Sequence, residues 1–69
     1  MKFEKNKMYY NILKDSDVAF IVDEVLSSDN TGCDLIVTWY KKVGSRYVSI
    51  GVEGEYHIPK YNIPHYMEI

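Results

Sequence analysis

A chain of 69 residues allows one small domain and leaves little room for a large core. Ten acidic against eight basic residues give a net charge of −2, which argues against a protein that lives on phosphate contacts. A hydrophobic share of 46% is too high for a disordered chain, and no stretch nears the roughly 20 apolar residues of a membrane-spanning helix.

Residues 1–7 hold Lys2, Glu4, Lys5 and Lys7 with no apolar run behind them, so no signal peptide is expected. Cys33 is the single cysteine, which rules out an internal disulfide and points to a reducing, cytoplasmic setting. A first strand is predicted over Lys7 to Leu13, with Met8, Tyr10 and Ile12 on one face and Tyr9, Asn11 and Leu13 on the other. Lys14-Asp15-Ser16-Asp17 reads as a polar turn. A second strand is predicted from Val18 to Leu26. Its apolar run breaks at Asp23-Glu24, a change of face that predicts a bulge or sharp bend. Ser27 to Gly32 reads as a surface loop.

The stretch from Cys33 to Ile58 reads as one long hairpin. Leu35, Val37 and Trp39 alternate on its first arm, and Val48, Ile50, Val52, Tyr56 and Ile58 on its second. Gly44 suits the first central position of a two-residue type II′ turn, Val43-Gly44-Ser45-Arg46. That turn predicts Trp39 opposite Ile50 and Val37 opposite Val52. It also sets Asp34 opposite Glu55, a like-charge pair that calls for fraying or a bulge at Gly54. The predicted core is Phe20, Val22, Leu35, Val37, Trp39, Val48, Ile50, Val52, Ile58 and Ile63, with Trp39→Ala among the most damaging changes. Pro59 ends the fourth strand. Lys60 to His65 is too short for an α-helix and predicts one 3₁₀ turn, and Tyr66 to Ile69 a short last strand.

Four strands, a 3₁₀ turn and a fifth strand resemble an SH3-like barrel. The tail Pro59-Lys60-Tyr61-Asn62-Ile63-Pro64-His65-Tyr66-Met67-Glu68-Ile69 is similar to the SH3 ending, a proline-bearing 3₁₀ turn with Asn and Tyr before the closing strand. The resemblance implies an all-β, five-stranded SH3-like barrel as a single domain over residues 1–69. It stops short of the peptide-binding SH3 motifs. Met8-Tyr9-Tyr10-Asn11 stands where that family opens with Ala-Leu-Tyr-Asp-Tyr, and a turn from Lys14 to Asp17 replaces its long acidic loop. Trp39-Tyr40 lies near the end of its strand, whereas the family's paired tryptophans open theirs. The start Met1-Lys2-Phe3-Glu4-Lys5-Asn6-Lys7-Met8-Tyr9-Tyr10, with the small, acidic, Tyr-rich makeup, resembles accessory proteins of tailed bacteriophages. That implies a host protein as partner.

No catalytic constellation stands out, and an enzyme is not expected. His57 and His65 are the only histidines, too few with one Cys for a zinc set, so neither a metal nor a cofactor is expected. Cys33 reads as a small core residue. Asp23 and Glu24 point to opposite faces, and Glu53 and Glu55 share a face turned to solvent.

Two surface groups remain. Ile36, Tyr40, Tyr47 and Lys42 form a semi-apolar patch on the outer hairpin face. It suits a protein partner or self-association, or else is an ordinary half-covered sheet face. Lys41, Lys42 and Arg46, with Tyr40 and Tyr47, could hold a nucleotide or nucleic acid, or else form a solvated tip that discourages aggregation. An open edge strand would also admit an added strand or a homodimer. The reading is a non-enzymatic binding module, with a small oligomeric binder of nucleotides or nucleic acid as the alternative and no membrane role.

Overall fold

In the computed structural model, which describes residues 2–14 and 17–69, five strands form in chain order. They are β1 (Met8–Asn11), β2 (Val18–Asp29), β3 (Gly32–Val43), β4 (Arg46–Pro59) and β5 (Tyr66–Glu68), with a 3₁₀ helix over Lys60–His65 between β4 and β5. All neighbours pair antiparallel in one sheet of order β4-β3-β2-β1-β5. Of the expected turn from Lys14 to Asp17, Asp15 and Ser16 lie outside the described residues. Among those described, no helix is long and apolar enough to cross a membrane.

The expected loop over Ser27 to Gly32 is instead a continuation of the sheet. Ser27 pairs with Asp34, Ser28 with Cys33 and Asp29 with Gly32, so only Asn30 and Thr31 form the turn. The Asp29 carboxylate accepts from the Thr31 backbone N–H at 2.8 Å and from its hydroxyl at 2.6 Å, and these bonds hold the Asp29 carboxyl below its usual range. Turn-forming residues here close a tight hairpin because the neighbouring arm is long enough to pair with them.

The break at Asp23-Glu24 is a bulge, as the sequence predicts. Val22 pairs with Val37 but Glu24 with Ile36, leaving Asp23 unpaired, and Leu26 is skipped in the same way. The Asp23 carboxylate accepts from the Thr38 hydroxyl at 2.5 Å, so the displaced residue is tied back to β3. Two bulges in one strand increase its bend and turn the outer half of β2 over the core.

At the β3–β4 turn the register is the expected one. Val43 pairs with Arg46, Lys42 with Tyr47 and Tyr40 with Ser49, and Gly44 takes φ 63° as a type II′ turn requires. Beyond Tyr40 the expected register fails. Thr38 pairs with Glu53, so Ile50, Gly51 and Val52 together face Trp39 alone. Gly51 takes φ 76°, a conformation open to glycine at no steric cost. Val37 consequently lies opposite Gly54, not Val52, and Asp34 opposite His57, not Glu55. The like-charge pair is thereby exchanged for a bond of 2.7 Å between Asp34 Oδ1 and His57 Nδ1. A two-residue slip keeps the inward face inward, so Tyr56 and Ile58 still point at the core.

The core comprises Phe3, Tyr9, Phe20, Val22, Cys33, Leu35, Val37, Ile58 and Tyr66, with Trp39, Tyr56, Val25 and Ile63 packed against it. Of the ten expected core residues, Phe20, Val22, Leu35, Val37 and Ile58 are fully buried, and the other five are not. The core also takes in Tyr9, Tyr66 and Phe3, which no periodicity marks, while Trp39 and Ile63 are half-buried at its margin and Val48, Ile50 and Val52 are 49%, 51% and 52% exposed. The cause is strand length. The long axis of 37 Å follows the 12-residue β3 and 14-residue β4, whereas β1 has four residues and β5 three. β1 pairs with β2 only at Phe20 and Ile21, and β5 only with β1, so these short strands leave Val48, Ile50 and Val52 of β4 uncovered. Phe3 closes the core, held by Tyr9, whose Oη accepts from the Glu4 backbone N–H at 2.8 Å and donates to the Lys2 carbonyl at 3.1 Å.

Candidate functional site

Where the cover ends, the inner face of the sheet opens into a cleft of about 280 Å³. Its floor is aromatic. The rings of Phe20, Trp39 and Tyr56 meet edge to face, with centroids 5.4 Å, 5.0 Å and 5.5 Å apart, and Tyr66 joins them. Tyr10, Asn11, Lys14 and Val18 form its rim. The hydroxyls of two floor residues, Tyr56 and Tyr66, are hydrogen-bonded 2.7 Å apart.

Burial, and then the hydrogen bond with Tyr66, push the Tyr56 phenol above its ordinary value. A phenol whose folded pKa is raised adds stability below its unfolded value of about 10, and that stability is lost as pH rises through the folded value. Tyr56→Phe is therefore expected to cost about 1 kcal/mol at neutral pH and to flatten the fall in melting temperature above about pH 10. Melting curves of both proteins across the alkaline range check this; parallel curves would contradict it.

The cleft runs on into the exposed apolar row. Val18 pairs with Lys41 and Lys41 with Val48, so these three side chains share the cleft side of the sheet, and alternation adds Ile50 and Val52 beyond Trp39. Aliphatic side chains half open to water on one strand form a continuous patch, which on a small domain marks a contact surface.

The sequence-derived candidates fall on both sides of the sheet. Tyr40 and Lys42 lie on the outer face, with Tyr47 directly across from Lys42 and Ser49 across from Tyr40. Ile36 shares that face further along, between Glu24 and Glu55. Tyr40, Tyr47 and Ile36 are half-buried and Lys42 is exposed. Of the candidate anion-binding residues, Lys41 and Arg46 belong to the cleft side and Lys42 to the outer face, because neighbours on a strand alternate. All three are exposed. Cys33 is buried, with its Sγ 3.6 Å from Ser28 Oγ. His65 lies in the 3₁₀ helix. Among the described residues no group of three or more His, Cys, Asp or Glu side chains could hold a metal ion.

Ser27, Asp34 and His57 meet on the outer face. The Ser27 hydroxyl donates to Asp34 Oδ2 at 2.9 Å, and His57 Nδ1 lies 2.7 Å from Oδ1. The carboxylate is the middle member, whereas activation of a hydroxyl needs the imidazole in the middle. What the arrangement does is pin β2, β3 and β4 together. His57 first, and Ser27 second, hold the Asp34 carboxyl below its usual range. A depressed carboxyl adds stability above its unfolded value, lost as pH falls through the folded one. Asp34→Asn should thus melt below wild type at about pH 5 and lose that difference by about pH 2. An unchanged gap across that range would contradict the assignment.

Comparison of the chain with protein-family models, with curated proteins and with solved structures finds no match. The cleft is a site that sequence reasoning misses: its lining comes from all five strands, and Tyr10 and Tyr66 carry no local signal of it. Trp39 and Tyr56, placed inward by alternation, and Phe20, expected in the core, are the lining residues that the sequence points to.

Proposed function

We propose that this chain is a non-enzymatic binding module that recognises another protein through the open end of its sheet. The observation that carries the reading is the uncovered row Val48, Ile50 and Val52 beside the aromatic cleft. A small domain can ill spare that much apolar side chain from its core, and such a patch is suited to a partner. The outer-face residues Tyr40, Tyr47, Ile36 and Lys42 offer a second contact area behind it.

The meander of β1 to β4, the return of β5 to the far side of β1, and the 3₁₀ helix before it support the finer reading of an SH3-like barrel. The resemblance of its start and makeup to bacteriophage accessory proteins supports a host protein as the partner, bound so as to inhibit or redirect it.

The test is capture from a bacterial lysate followed by titration of the purified partner against variants. Ile50→Asp should abolish binding while the domain stays folded, and Tyr40→Ala with Tyr47→Ala should weaken it less. A partner held equally well by Ile50→Asp would overturn the assignment of the face.

A further inference from the structure

Charge is divided along the sheet. Within residues 18–22, 39–43 and 46–52, which make up the end nearest the β3–β4 turn, the charged residues are Lys41, Lys42 and Arg46, and none is acidic. Asp23, Glu24, Asp34, Glu53 and Glu55 all lie in the other half of the same three strands. A chain of net charge −2 thus has a cationic end, and it is the end that carries the open apolar row. Lys41 stands in that row between Val18 and Val48, Arg46 follows on the same side, and Lys14 adds a third cation at the cleft rim. Asp17, just before β2, brings one carboxylate to this end, where its carbonyl accepts from the Lys42 backbone N–H at 2.7 Å, so the cations Lys41, Lys42 and Arg46 still outnumber it.

We infer that this end of the sheet docks an extended segment of a partner protein in which apolar and acidic side chains alternate. The inference rests on the protein-binding reading above and adds the chemistry of the partner. One bulky apolar side chain enters the cleft against Trp39 and Tyr56, others cover Val48, Ile50 and Val52, and carboxylates between them meet Lys14, Lys41 and Arg46. β4 is the last strand of the sheet, so an extended segment can lie along it. The charges set orientation and encounter rate, and the apolar contacts supply the affinity.

Two other occupants fit less well. Single-stranded nucleic acid needs ring faces on which to stack, yet Phe20, Trp39 and Tyr56 turn edges and faces to one another, and the exposed row beside them, Val48, Ile50 and Val52, is aliphatic. A second copy docked face to face would set Lys41 and Arg46 against their own counterparts, since a two-fold contact brings like surfaces together.

Fluorescence anisotropy with three labelled probes tests the inference. Two synthetic peptide pools carry Leu, Phe, Tyr or Trp at alternate positions and differ in having either Asp and Glu or Lys and Arg between them; the third probe is a thymidine oligonucleotide. The acidic pool should bind, the basic pool should bind at least about tenfold more weakly, and Lys41→Glu with Arg46→Glu should reverse the preference. Equal binding of both pools, lost in Ile50→Asp, would overturn the acidic partner and leave the protein-binding reading standing. Oligonucleotide binding that falls steeply with salt and survives Ile50→Asp would overturn both. A concentration-dependent dimer dispersed by Ile50→Asp would put a second copy on the face and overturn the inference, as would a folded protein that binds neither pool.

Discussion

Gly32→Ala is expected to leave little folded protein at room temperature. Gly32 takes φ 141°, and a Cβ there would lie 2.1 Å from the Ile58 carbonyl oxygen and 3.0 Å from the Lys60 nitrogen. Both are backbone atoms, so no side chain can swing aside. Relief requires moving the end of β4 away from β3, where Gly32 pairs with Pro59 and Cys33 with Ile58. It would also strain the bond from the Lys60 N–H to the Thr31 carbonyl at 3.0 Å. Ile58 and Cys33 are core residues, and the shift opens the core beneath them. A domain of this size has about 3–10 kcal/mol of stability, and backbone strain of about 1–3 kcal/mol comes before any cost of the clash. Gly44→Ala is the control, because Gly44 also has positive φ but nothing lies near its would-be Cβ; it should lose only about 1–2 kcal/mol. Urea unfolding followed by circular dichroism compares them, and equal losses would refute the close approach.

Phe20→Ala should cost about 3–5 kcal/mol, most of what the domain has. Phe20 is 1% exposed. Its ring centroid lies 6.3 Å from Phe3, 6.0 Å from Tyr9, 5.4 Å from Trp39, 5.5 Å from Tyr56 and 5.8 Å from Tyr66. It therefore joins the N-terminal segment, β1, β3, β4 and β5 across one point. Truncation leaves a cavity that five rings cannot fill together, because each is fixed by its other neighbours. Trp39→Ala, by contrast, removes a half-buried ring at the edge of the cleft and should cost less than Phe20→Ala. The same unfolding measurement ranks them, and the reverse order would show that the core is centred on Trp39.

The particular residues show what local pattern can and cannot specify. Gly44 selects the turn, and the turn sets the pairing of Tyr40, Lys42, Tyr47 and Ser49, so this part of the outer face was legible. The 3₁₀ helix was legible because Pro59 stops β4 and Pro64 sits inside a six-residue segment. The like-charge pairing of Asp34 with Glu55 signalled fraying or a bulge at Gly54, but the bulge lies at Gly51, because its place depends on the partner strand, where pairing Asp34 with His57 beats pairing it with Glu55. Alternation placed Val48, Ile50 and Val52 on the inner face correctly and said nothing about whether that face is covered. Coverage depends on how far β1 and β5 reach, and these strands are shorter than their apolar runs imply. Phe3 was hidden for the same reason: a lone aromatic among charged residues has no period, and only the tertiary fold gives it a place. The cleft draws on all five strands and could not be assembled from any one of them.

The central claim is that the apolar row of β4 belongs to a contact surface and not to the core, and the melting temperature of Ile50→Asp tests it most directly. On this account the change costs no more than about 0.5 kcal/mol, as at other surface positions, and shifts melting by about 2–4 °C for a domain this small. Loss of the folded state, or a fall several times larger, would mean that Ile50 is buried in solution and that the face is not open to a partner.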